Sequence, residues 1–244
     1  MIVFVSTHYR TFPSIPLFTQ RPLAGQTALI FGGSGGMGGA AAEHAADLGA
    51  SVVPVGRDRD RLEAAAGSLD ARLVVADAGV PDEAVRAFVE AATVHHVVVA
   101  TSADVQASSV PDTPPSVARA ALGRLWVAFN VVHLASGRVE PGGSVVIVSG
   151  SSATTPTPGY GVWTALHGSI EPLARTAALE LAPVRGNVVS PGGIGMPPDR
   201  QLTHHVGTAA DVGAAVAALM ANPAITNAVL GVDGGERLGT WSGA

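Results

Sequence analysis

"TALIFGGSGGMGGAAAEHAADLGASVVPVGRDRDRL", residues 27–62, decides the fold. A short apolar run, Thr27 to Phe31, delivers the chain directly into glycines at 32, 33, 35, 36, 38 and 39. An alanine-rich segment follows to Leu48, where Gly49 stops it, and a second β-branched run begins at Ser51. This order predicts a strand, a turn, a helix and a second strand. The glycine spacing satisfies two phosphate-loop patterns at once: GxGxxG from Gly33, Gly35 and Gly38, and GxxxGxG from Gly32, Gly36 and Gly38. Glycine lets backbone N–H groups approach a pyrophosphate, and the helix N-terminus favours the anion. A dinucleotide is therefore expected here, with a ligand-free glycine-rich turn as the alternative. At the end of the second strand, where an acid commonly accepts ribose hydroxyls, stands Arg57, whose planar fork suits a 2′-phosphate. Asp58 and Asp60 neutralise part of that charge, so a solvated mixed-charge run opening a helix is the competing interpretation.

Outward from this unit the same alternation continues. Candidate strands lie at 72–75, 97–100, 144–148, 186–189 and 229–232, making seven in all, and candidate helices at 81–92, 115–135, 163–181 and 209–220. Strands alternating with helices predict an α/β fold around a parallel sheet. With no internal repeat and no shift of composition, residues 23–244 are expected to form a single domain and residues 1–22 an N-terminal arm, unless translation starts further downstream. Two polar, proline-rich stretches, 101–116 and 193–207, follow strands and are expected to wall a substrate pocket. Pro54 is expected to mark a frayed strand end, and Pro172 to kink its helix by removing the N–H that would bond Gly168.

Composition narrows the function. The 244 residues are 47% hydrophobic and 14% charged with a net charge of -5, so a basic footprint for nucleic acid is missing. No apolar run is long enough for a membrane span, and the short run Ile2–Val5 lacks the basic flank of a signal peptide. The absence of cysteine excludes disulfides and thiolate metal sites and fits a reducing cytoplasm. His95 with His96, and His204 with His205, are adjacent pairs without a carboxylate cluster, so no metal is expected. His204 and His205 are better placed on a loop near the pocket.

Over about residues 23–238 the chain resembles the short-chain dehydrogenase/reductase family. "FGGSGGMG" (31–38) is similar to its TGxxxGxG, with Phe31 in place of Thr, and "GRDRDRL" (56–62) to its NADP-type GRxxxxL. "AD" (76–77), "VRGNVVSPGGI" (184–194) and "VDGG" (232–235) resemble its adenine-side acid, its late strand with the PG loop, and its C-terminal signature. The resemblance implies a Rossmann-like, doubly wound seven-stranded sheet with helices on both faces. It implies NAD(P)-dependent oxidation or reduction of alcohols and carbonyls, and a homodimer or homotetramer paired through its two long helices. It also implies cofactor contacts at Gly32, Gly33, Ser34, Gly36, Met37, Gly38, Arg57, Asp77, Pro191, Gly192 and Ile194, with NADP(H) preferred over NAD(H).

The family's Asn, Ser, Tyr, Lys set is another matter. Its Tyr exchanges a proton with the substrate oxygen, and its Lys holds the ribose and lowers the Tyr pKa. Aligned on "GYGVWTALHGSIEPLARTAALELAP" (159–183), the Tyr position falls on Trp163 and the Lys position on His167. The Ser position falls on Gly150, among Ser149, Ser151 and Ser152, and the helical Asn position near Ala121. An indole N–H does not titrate usefully, so Trp163 is expected to fill space instead of moving protons. Tyr160, seven residues before His167, is spaced like the Tyr-x6-Lys pair of the family's enoyl-reductase branch, or is a plain loop tyrosine. Three functions stay open. One is an atypical reductase using Tyr160, with Ser151 or Ser152 on the substrate oxygen and His167 on the ribose. The second is an inactive, cofactor-binding regulatory or structural partner. The third is a non-redox use of the pocket, such as a cyclisation or dehydration.

Overall fold

The computed structural model describes residues 21–102, 105–197 and 201–239. Apart from Arg21 and Pro22, the expected N-terminal arm lies outside the described residues, as do 103–104 and 198–200 of the two expected pocket loops. The strands are β1 (Thr27–Phe31), β2 (Ser51–Gly56), β3 (Val74–Val75), β4 (Val94–Val99), β5 (Val139–Val148), β6 (Arg185–Pro191) and β7 (Val229–Val232). The helices are α1 (Gly36–Asp47), α2 (Arg59–Ala66), α3 (Pro81–Ala91), α4 (Pro115–Ala135), α5 (Gly161–Glu180) and α6 (Ala209–Ala221). The sheet is parallel throughout, in the order β3-β2-β1-β4-β5-β6-β7. Strand order reverses between β1 and β4, which opens the ligand crevice of doubly wound sheets at the carboxyl ends of these strands.

Two-residue periodicity builds a core on each face of the sheet. Leu29, Phe31, Val97, Val99, Val145 and Ile147 pack on one side with α3, α4 and α5. Ala28, Ile30, Val98, Val146 and Val148 pack on the other with α1 and α6. Both faces are covered, so the strands are valine-rich runs without polar alternation. Small residues let the layers close: a Cβ on Gly213 of α6 would fall 2.6 Å from the Ala40 carbonyl carbon of α1.

Pro54 is not at a frayed end. It sits within β2, buried and paired with Ile30. Ser51 N donates to Gln26 O, and the alternation of a parallel strand turns Pro54's nitrogen away from β1 toward β3. Because β3 has two residues, little of the ladder is lost there. Strand β5 begins at Val139, five residues before the expected Ser144, with Val94 pairing to Val139 across a register shift. The mixed-charge run after Arg57 forms α2, capped by Asp58 Oδ1, which accepts from Arg61 N at 3.0 Å. Helix α5 contains Pro172 and is helical on both sides of it.

Candidate active site

A cleft of about 720 Å³ opens at the carboxyl ends of β1, β2 and β4. Its central floor is the glycine loop. Gly32 holds φ +88° and would place a Cβ 2.5 Å from Ala100 O, so this turn tolerates no side chain. A Cβ on Gly38 would lie 2.2 Å from Gly32 O, which fixes how closely α1 springs from β1. Gly32, Ser34 and Gly35 line the cleft. Gly33 is backed against Pro54, Gly36 faces Ala209, and Met37 packs on the α1–α6 core.

At one end of the cleft stand Arg57, Asp58, Arg61 and Asp77. Asp58 is committed to capping α2, and Asp77 Oδ1 accepts from Gly79 N at 2.8 Å. Arg57 and Arg61 therefore share that end with Asp58 turned to the helix, a pairing that the reading of Arg57 alone did not contain. At the other end are Ala100, Thr101, Ser102, Val105, Ala121 and Arg124. Thr101 Oγ1 and Arg124 Nε are buried and have no partner among the described residues.

None of the residues expected to act on substrate, Ser151, Ser152, Tyr160 and His167, lines this cleft; His167 adjoins it through Arg124. The three serines flanking Gly150 go different ways. Ser149 Oγ donates to buried Glu171 Oε1 at 2.8 Å, and Ser190 Oγ donates to the same oxygen at 3.0 Å. Ser151 lies against Gly192, the PG-loop glycine, together with the Glu236 carboxylate. Ser152 Oγ lies 2.8 Å from His167 Nδ1. Pro191 ends β6, Gly192 N donates to Val232 O at 3.1 Å, and Ile194 forms an isolated bridge with Gly207. Gln201 Nε2 donates to Gly193 O at 2.7 Å, tying the second loop to the PG loop.

His167 is buried and its second nitrogen, Nε2, lies 3.5 Å from Arg124 Nη1. An arginine N–H can only donate, so Nε2 carries the lone pair and Nδ1–H donates to Ser152 Oγ. Burial, followed by the Arg124 charge, pushes the His167 pKa down to about 4, so the ring is neutral at pH 7. Gly150 belongs to the same arrangement: a Cβ there would fall 2.4 Å from His167 Cε1. The imidazole occupies the space that a serine at 150 would need. Trp163, one turn earlier, packs on the main core with its ring centroid 5.5 Å from that of His167. Tyr160 is at the N-cap of α5, 36% exposed, and its hydroxyl makes no hydrogen bond among the described residues.

Arg124 was not anticipated, although its position was legible. It lies three residues after Ala121 and four before Ala128, both buried, so a cation stands on the inward face of α4. Its Nη2 donates to Val148 O at 2.7 Å. Burial lowers its pKa to about 10, which leaves it charged at pH 7. His204 and His205 do not join the cleft lining; His205 Nε2 is 3.0 Å from Asp211 Oδ2, beside the capping box of α6.

Comparison with known proteins agrees with this architecture. A family model described as enoyl-(acyl carrier protein) reductase matches residues 32–236. The chain belongs to the short-chain dehydrogenase/reductase family, and membership implies use of NAD(P). It is 28% identical over 200 residues to the short-chain dehydrogenase/reductase malC of Malbranchea aurantiaca, covering 70% of this chain and 73% of that one. It is 30% identical over 197 residues to the chloroplastic NADPH-dependent aldehyde reductase 2 of Arabidopsis thaliana, covering 70% and 72%. The solved structure titled MalC Reductase/Diels-Alderase superposes with a TM-score of 0.83 at 25% identity, covering 90% of this chain and 99% of that one. No helix among the described residues is long and apolar enough to cross a membrane, and no three His, Cys, Asp or Glu side chains gather as a metal site among them.

Proposed function

We propose that the protein is an NADP(H)-binding oxidoreductase acting on a carbonyl, alcohol or enone without the family's Tyr–Lys pair. The observation that carries the cofactor reading is the arginine end of the cleft: Arg57 and Arg61 line it while Asp58 is spent on the α2 cap. Two guanidiniums suit a 2′-phosphate, and the residue directly after β2, where an acid commonly accepts ribose hydroxyls, is Arg57. The remaining cofactor contacts proposed are Gly32, Gly33, Ser34, Gly36, Met37, Gly38, Asp77, Pro191, Gly192 and Ile194. When bound, the cofactor supplies hydride. The protein's part is to hold it at the glycine loop and to present a hydroxyl, from Ser151 or Ser152, to the substrate oxygen. The Arabidopsis relative's name, an NADPH-dependent aldehyde reductase, points the same way.

Fluorescence titration tests this. NADPH is expected to bind at least about tenfold more tightly than NADH, and Arg57→Ala to remove most of that difference. Equal affinity for the two cofactors contradicts the NADP(H) assignment. NADPH consumption across a panel of aldehydes, ketones and enones tests turnover.

A second reading, a cofactor-binding partner without redox turnover, is favoured by one observation. The Tyr160 hydroxyl is without a hydrogen bond among the described residues, and Trp163 and His167, at the positions aligned with the family's Tyr and Lys, pack on each other. Under it, NADPH binds and no panel member consumes it. Should turnover occur and Tyr160→Phe abolish it, Tyr160 is the relocated proton donor; turnover that survives this change assigns the proton elsewhere. A cytoplasmic location and pairing of two copies through α4 and α5 complete the proposal.

A further inference from the structure

The cleft has two chemically different ends, and the glycine loop lies between them. With Arg57, Arg61 and Asp77 at the adenosine end, a dinucleotide spanning the loop brings its other ribose toward Ala100, Thr101 and Arg124. Two polar atoms of that wall, Thr101 Oγ1 and Arg124 Nε, are buried without partners. Each such orphan is destabilising unless something completes it. Arg124 Nε–H needs an acceptor, whereas Thr101 Oγ1 can donate or accept. A vicinal diol offers both functions at once.

His167, at the position where the family's lysine holds a ribose, does not do this work. Both ring nitrogens face protein groups, Ser152 Oγ and Arg124 Nη1, and His167 is absent from the cleft lining. It is also uncharged at neutral pH. The nearest guanidinium belongs to the neighbouring helix. Arg124 is fixed by Val148 O at the end of β5, so its fork is held in place before any ligand arrives.

We propose that Arg124 holds the ribose on the nicotinamide side of the bound dinucleotide, supplying from α4 the cation that α5 lacks. His167 then acts as a positioning residue, its lone pair toward Arg124 and its proton toward Ser152. This rests on the NADP(H) reading above and adds a residue to it.

The experiment compares two ligands on the full chain. 2′,5′-ADP reaches only the adenosine end, whereas NADPH spans the cleft. Arg124→Met is expected to weaken NADPH binding about tenfold or more while leaving 2′,5′-ADP affinity within about twofold of the unaltered protein. Arg124→Lys, which restores the charge, is expected to recover part of the loss. Arg57→Ala weakens both ligands. Thermal melting of each variant separates a folding defect from a binding defect, and Arg124→Lys serves as the second probe if Arg124→Met does not fold. Equal loss of both ligands by whichever Arg124 variant folds, or no loss of NADPH, overturns the assignment. A protein that binds 2′,5′-ADP with no added affinity for NADPH overturns it while sparing the arginine end. A protein that binds neither ligand overturns the NADP(H) reading together with this one.

Discussion

At the scale of single residues, close packing beside the cleft couples a pair, Gly150 with His167. The imidazole fills the volume a side chain at 150 would take, so position 150 stays glycine while the ring is in place. Gly150→Ser is expected to lower stability by about 1–3 kcal/mol, the usual cost of overpacking a closed site, measured as a shift of the urea midpoint. In the Gly150→Ser/His167→Ala double variant the ring is gone, and part of that loss is expected to return. Additive losses in the double-mutant cycle would mean that the serine is excluded by something other than the imidazole. The pair also gives a physical reason for a glycine among three serines: the space beside it is taken by a neutral ring. That arrangement leaves Ser152 Oγ with a donor on one side and its own proton free to give.

At the scale of elements, two buried groups tie the strand ends to their neighbours. Arg185, the first residue of β6, donates to Leu219 O and Met220 O at the end of α6 and to Ile225 O beyond it, at 2.7, 2.8 and 3.0 Å. Arg185→Met is expected to cost about 3 kcal/mol or more, since it strands carbonyls that α6 cannot satisfy itself; calorimetric melting checks it. His96 of β4 joins Ser144 of β5 at 2.8 Å and Gln26 at 2.6 Å. Burial, then the Arg185 and His95 charges, pushes its pKa down to about 3. His96 and His167 are thus neutral when folded and protonate near pH 6.5 when unfolded. The stability they contribute is complete above that pH and falls as pH drops from 6.5 toward 4 and 3, by about 2 kcal/mol for each between pH 6.5 and 5. Urea midpoints at pH 7.5 and 5.0 measure this, and His96→Asn should remove about half of the decline. Elements with clean punctuation were legible in advance: β1 and β7 agree to the residue, and so does α4, which opens at Pro115. The start of β5 was hidden because "VEPGG" (139–143) carries a proline and two glycines yet still pairs at Val139. Helix α2 was legible only as a helix opened by the mixed-charge run, without bounds, because its eight residues are mostly charged or small with one buried anchor, Leu62. The glycine loop was legible because its spacing is local. The Arg124–His167–Ser152 chain was not, since it joins residues 43 and 15 positions apart that only the packing of α5 on α4 and on the turn after β5 brings together.

For the molecule as a whole, the two sides of α4 and α5 have different tasks. Their inward sides carry Ala121, Arg124, Leu166 and His167 to the site and core. Outward, Trp126 and Phe129 of α4 form an edge-to-face pair with centroids 6.0 Å apart, 64% and 47% exposed, and Leu179 of α5 is 80% exposed. Large aromatic groups clustered on a face, beside a shallow groove lined by Phe129, Val132, Leu173 and Leu181, are what association between subunits ordinarily covers. A two-fold pairing places the same patch on itself, so a single charge introduced there is counted twice in the dimer. If two copies pair through this face as proposed, Trp126→Asp is expected to give smaller species than the unaltered protein in sedimentation velocity. The monomer's fold should hold, because the ring it removes contributes mostly exposed surface. Because α4 also carries Arg124, loss of pairing is expected to loosen the cofactor end of the cleft and weaken NADPH binding severalfold. A variant that sediments like the unaltered protein would place the subunit contact elsewhere, and one that dissociates with unchanged NADPH affinity would show that α4 holds Arg124 in position without a partner.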